Sequence, residues 1–279
     1  MTSNESLPTA RVRPDIRLAR RFSLAGRRAL VTGGSLGIGR AIARALGEAG
    51  ADLAIHHAGG VDKAYGQPDA AEALARELEA DGRRVALIEA DFERPGEARR
   101  TVVDAVGALG GDVDVLVSCA AVQHRVAFTA ATTEQVARQV RINFEATVEL
   151  LQAALPAMKE RGWGRVLTIG SVNQIRPEPE LAIYAALKSA QANLVGNLAR
   201  QYAPYGVTLN NLAPGLVATD RNRWRREDAD AWRAIERGAN PMGRAGTPEE
   251  MAGAALLLCS EAGSFVTGAD LQATGGGHL

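Results

Sequence analysis

Between Arg28 and Leu212, six short apolar runs alternate with five longer segments rich in Ala, Leu, Arg and Glu. The runs have strand length: Arg28 to Thr32, Asp52 to His56, Arg84 to Ala90, Val113 to Ser118, Arg165 to Ile169 and Val207 to Leu212. The segments between them have helix length, from about Gly39 to Ala49, Asp69 to Ala80, Pro95 to Leu109, Thr133 to Arg161 and Tyr184 to Tyr202. Strands joined by helix-length crossovers run parallel, since a tight turn can join only antiparallel neighbours. The alternation therefore predicts an α/β chain with one doubly wound parallel sheet, closed by a short last strand around Ala269 to Ala273. No linker or low-complexity tract divides the 279 residues, which suit a single large domain.

The pattern breaks only between Pro214 and Gly246, a polar, Arg-rich stretch holding Trp224 and Trp232. An excursion of that length inside a compact domain is usually functional, so a lid is expected at about 216–246. The first 22 residues are polar and carry Arg11, Arg13, Arg17, Arg20 and Arg21, without the apolar core of a secretory signal. They read as a flexible arm, solvated or lying on a partner subunit, rather than as a nucleic-acid arm or a transit peptide.

Composition narrows the function. Apolar stretches such as Ala254 to Cys259 are too short to span a bilayer, and a net charge of zero gives no global pull toward nucleic acid or anionic lipid. Neither is expected as a partner. Cys119 and Cys259 make no disulfide framework, which points to a cytoplasmic setting, and His56, His57, His124 and His278 lack zinc-ligand spacing, so no metal is expected. Only Lys63, Lys159 and Lys188 are lysines, against a background of arginines. A lysine retained in such a chain is a candidate for chemistry that arginine cannot do.

The first strand empties into Thr32-Gly33-Gly34-Ser35-Leu36-Gly37-Ile38-Gly39 and then a helix. Glycines here let the backbone turn tightly and approach a pyrophosphate at a helix N-terminus. Further on, Tyr184-Ala185-Ala186-Leu187-Lys188 puts a phenol and an ammonium one helical turn apart on one face. With so few tyrosines and lysines, that spacing arises by chance in only about 4% of such chains. Ser171 follows the fifth strand, at the sheet end where ligands bind in doubly wound folds. Asn143 lies within the long helix before that strand.

The spacing Gly-x-x-x-Gly-x-Gly and the ordered set Asn143, Ser171, Tyr184 and Lys188 resemble the short-chain dehydrogenases/reductases, from about residue 22 onward. The resemblance implies a Rossmann-like fold and hydride transfer between NAD(P) and an alcohol/carbonyl pair. It implies that Tyr184 exchanges the substrate proton, its hydroxyl made more acidic by Lys188 and by the oxidised cofactor's positive ring. Ser171 would bind the substrate oxygen, Lys188 the nicotinamide ribose, and Asn143, locally disturbing its helix, would hold a water linked to Lys188. Gly33, Ser35, Leu36, Gly37, Ile38 and Gly39 would cradle the pyrophosphate. Asp91 and Phe92 would meet the adenine, and Ala120 would pass under the ribose. Pro214, Gly215, Val217 and Thr219 would wrap the nicotinamide. Thr267-Gly268 and Gly275-Gly276 echo the family's closing pattern, with Thr274 in place of the usual Asp. Of the family's Asn-Asn-Ala-Gly after the fourth strand only Ala120 survives, and the bracing of the usual Asn must come from elsewhere.

Cofactor and substrate are then separate questions. Where NAD-preferring members place a carboxylate after the second strand, this chain has His57, followed by Ala58 and Gly59. No carboxylate there bars a 2′-phosphate, so the reading leans to NADP over NAD, although Leu36 stands where many NADP-preferring members carry Lys or Arg. The polar Ser171-Val172-Asn173-Gln174 loop leans to a polyol or sugar-type small molecule, with 3-oxoacyl carrier-protein reduction as the alternative. Enoyl reduction would need a lysine seven residues after Tyr184, where Gln191 stands, and a catalytically idle nucleotide sensor would have no use for the complete tetrad. The resemblance also implies a homotetramer, with contacts on the helices of Asn143 and Tyr184. Ser189, Ala190, Ala192, Asn193 and Gly196 of the second helix are small enough for close approach.

Overall fold

Strand β1 (Arg28–Thr32) lies in the middle of the molecule because its side chains are apolar toward both faces: Ala29 and Val31 enter one core, Leu30 the other. The computed structural model describes residues 16–279. The chain order continues with α2 (Gly37–Glu48), β2 (Asp52–His57), α3 (Gly59–Ala64), α4 (Ala70–Ala80), β3 (Val85–Glu89), α5 (Glu97–Leu109) and β4 (Val115–Ser118). The second half holds α6 (Thr133–Val140), α7 (Ala146–Arg161), β5 (Gly164–Ile169), α8 (Ala182–Tyr202), β6 (Val207–Pro214), α9 (Ala229–Ala239), α10 (Pro248–Cys259) and β7 (Asp270–Ala273). Ahead of all these, α1 spans Ile16–Arg21.

The seven strands form one sheet in the order β3-β2-β1-β4-β5-β6-β7, every pair parallel. Helices α2, α4 and α10 cover one face, and α5, α7 and α8 the other. The order reverses between β1 and β4, so the loops leaving these two strands diverge and open a crevice at their carboxyl ends. The register makes Thr32 level with both His56 and Ser118, which brings the three strand ends to one height below that crevice.

The structure adds detail at three places. The arm expected over residues 1–22 lies outside the described residues as far as residue 15, but its end is the helix α1. There Arg21 Nη2 donates to the Glu261 carbonyl at 3.0 Å, and the nearby Leu24, 1% exposed, pins the chain to the core. The long helix expected over Thr133 to Arg161 carries a π-helical turn at Arg141–Glu145, centred on Asn143, where the family resemblance implies a local disturbance. Finally, a short helix, α3, occupies Gly59–Ala64, between the strand and the helix that the alternation predicts. The irregular stretch after β6 contains a 3-10 segment, Asp220–Arg226, and α9, and is closed at its neck by an isolated bridge between Val217 and Gly246. Among the described residues no helix is long and apolar enough to cross a membrane.

Candidate active site

The glycine loop is shaped by contact with the loop after β4. Gly33 takes φ +61°, and a Cβ there would sit 3.0 Å from Ala120 Cα. At Gly39 a Cβ would lie 2.0 Å from the Gly33 carbonyl oxygen, so only glycine lets α2 start where it does. Leu36, the residue capping α2, offers no side-chain hydrogen bond to the helix. The first amides of α2 are thus left for an anion, and the helix dipole adds to that preference. Gly37 faces Thr219, whose Cβ would lie 3.4 Å from a Cβ at position 37. Pro214 ends β6, the Gly215 amide donates to the Ala273 carbonyl at 3.0 Å, and Val217 is buried behind Thr219.

Bracing passes to residues other than the missing asparagine. Thr32 Oγ1 accepts from the amides of Cys119 (3.0 Å) and Ala120 (3.2 Å), and Ser118 Oγ lies 3.0 Å from Thr147 Oγ1 on α7.

His56 is a further support, which strand patterning concealed. Its Nδ1 accepts from the Gly33 amide at 3.1 Å, so Nε2 carries the proton and meets the Ala90 carbonyl at 3.1 Å. The ring stacks on Phe92 with centroids 4.0 Å apart. Burial pushes its pKa down to about 4 and keeps the ring neutral. Asp91 is exposed, and one of its oxygens accepts from the Glu93 amide at 3.0 Å, which leaves the other facing outward.

The expectation that no carboxylate stands near the end of β2 is overturned. Helix α3 folds back and buries Asp62, 2% exposed, against the glycine loop. Ser35 Oγ donates to Asp62 Oδ1 at 2.9 Å, and His57 Nδ1 lies 3.9 Å from Asp62 Oδ2. His57 Nδ1 and Asp62 Oδ2 both lack hydrogen-bond partners. Burial raises the Asp62 pKa above the usual carboxylate range.

Ser171 caps the short 3-10 turn Val172–Gln174 just past β5, and the Asn173 amide donates to its Oγ at 3.2 Å. Tyr184 and Lys188 sit one turn apart on α8, both buried, with the ammonium 5.8 Å from the phenol ring centroid. Lys188 Nζ donates to the Ile169 carbonyl (2.7 Å) and to Gln191 Oε1 (3.0 Å). Burial lowers its pKa to about 8. Burial also raises the Tyr184 pKa, opposed by the Arg221 guanidinium and by hydrogen bonding from Ser171 and Arg221. Arg221 is thus an acidifying neighbour of Tyr184, while the Lys188 ammonium, 5.8 Å from the ring, is hydrogen-bonded to Ile169 and Gln191. Arg221 was not anticipated as a site residue. It belongs to the excursion after β6, and its Nη2 donates to the Ala121 carbonyl at 3.0 Å, beside the Cys119 thiol.

Asn143 lies apart from this cluster. Its Nδ2 donates to the Val122 carbonyl (2.7 Å) and its Oδ1 accepts from the Val122 amide (2.9 Å), clamping the loop after β4. One amide proton and one lone pair remain free for a further partner. Among the described residues no group of three potential metal ligands comes together.

A family profile described as enoyl-(acyl carrier protein) reductase matches residues 33–278. The porcine (Sus scrofa) protein named dehydrogenase/reductase SDR family member 4 is 34% identical over 258 residues, covering 92% of this chain and 89% of its own length. The chain belongs to the short-chain dehydrogenase/reductase family. It is an oxidoreductase that moves a hydride between a nicotinamide cofactor and an alcohol/carbonyl pair. Among solved short-chain dehydrogenases/reductases, a 3-oxoacyl (acyl-carrier-protein) reductase from Agrobacterium tumefaciens C58 with NADP bound is 43% identical, with TM-score 0.87, covering 94% of this chain and 98% of that one. A gluconate 5-dehydrogenase from Burkholderia cenocepacia J2315, in complex with NADP and tartrate, is 33% identical with TM-score 0.82, covering 92% and 97%. Within this family the chain departs from the enoyl-reductase pattern at Gln191, which here receives the Lys188 ammonium.

Proposed function

We propose that this enzyme interconverts an alcohol and a carbonyl on a polyol or sugar-type substrate and takes NADP(H) in preference to NAD(H). The observation that carries the substrate class is the Asn173 side chain. It is 7% exposed, two residues from Ser171, and its Oδ1 has no hydrogen-bond partner. A buried acceptor left without a donor costs about 1–3 kcal/mol. A hydroxyl-rich substrate supplies that donor, whereas an acyl chain does not.

In this reading Tyr184 takes the alcohol proton in oxidation and returns it in reduction. A phenol raised by burial is well suited to the acid role, and Arg221 limits how far the value rises. Ser171 holds the substrate oxygen while its charge changes. Lys188 binds the nicotinamide ribose, and the free amide valences of Asn143 hold a water on the proton path to it. The chain's own fit to the cofactor rests on the close approach at Gly33 and Gly39 and the open amides of α2, completed by Ser35, Leu36, Gly37, Ile38 and Ala120. Asp91 and Phe92 frame the adenine, His57 reaches the 2′-phosphate, and Pro214, Gly215, Val217 and Thr219 enclose the nicotinamide. The bound nicotinamide itself supplies the hydride donor and acceptor. NADP in both solved relatives supports the cofactor preference.

The stretch 216–246 acts as a lid over the crevice. Trp224, 66% exposed at its surface, supplies apolar area for closure. The protein assembles as a homotetramer in the cytoplasm, in keeping with its unpaired Cys119 and Cys259 thiols.

A second reading, 3-oxoacyl carrier-protein reduction, is favoured by the 43% identity to the Agrobacterium enzyme. Rates on alditols, sugars and 3-oxoacyl thioesters with NADPH or NADP⁺, and with NADH or NAD⁺, separate the two. Turnover of thioesters alone overturns the sugar-type assignment. On whichever substrate is turned over, Tyr184→Phe should lower kcat by a factor of at least about a hundred with cofactor binding intact. A variant with near-normal turnover refutes the role given to Tyr184.

A further inference from the structure

Among the described residues no carboxylate lies within ion-pair distance of Arg221; its guanidinium donates to the uncharged Ala121 carbonyl and hydrogen-bonds the Tyr184 hydroxyl. The adjacent Asp220 is already taken up, accepting from Gln67 Nε2 at 2.7 Å and Arg223 Nη2 at 2.8 Å. Many of the chain's other arginines are paired with acids, among them Arg44 with Glu77, Arg100 with Glu97 and Arg244 with Glu250. What sets Arg221 apart is its position: its guanidinium stands beside the proton-exchanging phenol of Tyr184.

Its surroundings add to the same sign. Lys188 lies 5.8 Å from the Tyr184 ring centroid, with neutral acceptors on its ammonium. The Cys119 thiol near both cations is held above its ordinary pKa by burial and so supplies no negative charge. Ser171 and Asn173 are neutral. The reacting end of the crevice is thus electropositive, and a guanidinium is the side chain whose fork of donors matches a carboxylate in two parallel hydrogen bonds. Arg221 remains exposed, on the first turn of the stretch after Thr219, where a substrate entering the crevice meets it.

We infer that the substrate is an anionic polyhydroxylated acid, its carboxylate paired with Arg221 and one of its hydroxyls donating to Asn173 Oδ1. This rests on the sugar-type reading and narrows it. The reaction balances as one secondary alcohol and NADP⁺ giving one ketone, NADPH and a proton. The C–H bond breaks with its electron pair, which goes to the nicotinamide, and the O–H proton goes to Tyr184. The carboxylate is unchanged throughout and serves only to hold the chain, so its pairing with Arg221 is read in KM.

The test compares a six-carbon aldonate with the alditol of the same configuration, each oxidised with NADP⁺ by the whole enzyme and by Arg221→Gln and Arg221→Lys. The wild type should have a KM for the aldonate at least tenfold below that for the alditol. Arg221→Gln weakens the support of Tyr184 on both compounds, so the reading is the ratio: it should raise the aldonate KM at least tenfold more than the alditol KM, and Arg221→Lys should recover part of that difference. Tenfold corresponds to about 1.4 kcal/mol. Equal KM values for the two compounds, or equal losses on both in Arg221→Gln, overturn the carboxylate anchor while leaving the sugar-type reading in place. If neither compound is oxidised and 3-oxoacyl thioesters are reduced, the sugar-type reading fails and the inference falls with it.

Discussion

His56 illustrates how one side chain can tie together two halves of a nucleotide site. Through Nδ1 it fixes the Gly33 amide of the phosphate loop, through Nε2 the end of β3, and through its face the Phe92 ring. The Gly33 contact needs the neutral ring, since a protonated Nδ1 cannot accept its hydrogen bond. The folded pKa of about 4 lies below the ordinary 6.5, so between these values the unfolded chain binds a proton that the folded one refuses. Stability contributed by this residue is whole above about pH 6.5 and falls as pH drops toward 4, by roughly 3 kcal/mol in all. Melting temperature followed from pH 7 to 4.5 should decline less steeply in His56→Gln than in the wild type. Parallel declines would show that His56 is not the group responsible. The sequence placed Tyr184, Lys188 and Ser171 because their spacing is local and chemically unusual. It left His56 and Arg221 unread because their partners, Gly33, Phe92 and Ala121, are adjacent only after folding.

At the scale of elements, the strands and long helices were readable because their apolar periodicity and length leave few alternatives, and the parallel connections followed from the crossovers. The π-helical turn at Arg141–Glu145 was not readable from periodicity. It reflects a tertiary demand: Asn143 must aim its amide at both polar groups of Val122, which a regular helix interior does not provide for. Helix α3 escaped notice for a related reason. Gly59 and Gly60 lower helix propensity, and α3 is only six residues long, held by its buried contacts. Its consequence is functional. It brings Asp62 to Ser35 and His57, and on the proposed cofactor placement a carboxylate there would oppose a 2′-phosphate. Burial raises the Asp62 pKa and so acts against its charged form. Asp62→Asn removes the charge and keeps the Ser35 acceptor. The ratio of kcat/KM for NADPH to that for NADH should rise by about fivefold or more, chiefly through KM for NADPH. An unchanged ratio would remove Asp62 from cofactor selection.

For the whole molecule, the sheet leaves one helix pair face to account for. Helix α8 is the longest in the described chain, and the side opposite its buried Tyr184, Lys188, Gln191 and Val195 carries Ser189 and Asn193, both exposed. Gly196 lies among partly exposed residues, and a Cβ built there meets nothing within 4 Å. Within one chain that glycine has no packing reason to be small, and in a helix interior it costs about 1 kcal/mol relative to alanine. A close helix-to-helix approach between two copies supplies the reason, and two such two-fold contacts make the proposed tetramer. Gly196→Arg is therefore expected to fold at least as stably as the wild type, since the side chain enters open space and helix propensity improves. In the assembly the same side chain is driven into the facing helix, at a cost well beyond the propensity gain. Light scattering at micromolar concentration should give the wild type four times the mass of the 29.3 kDa chain and the variant a dimer or monomer. A wild type that runs as a monomer, or a variant that keeps the full mass, would remove this face of α8 from the assembly.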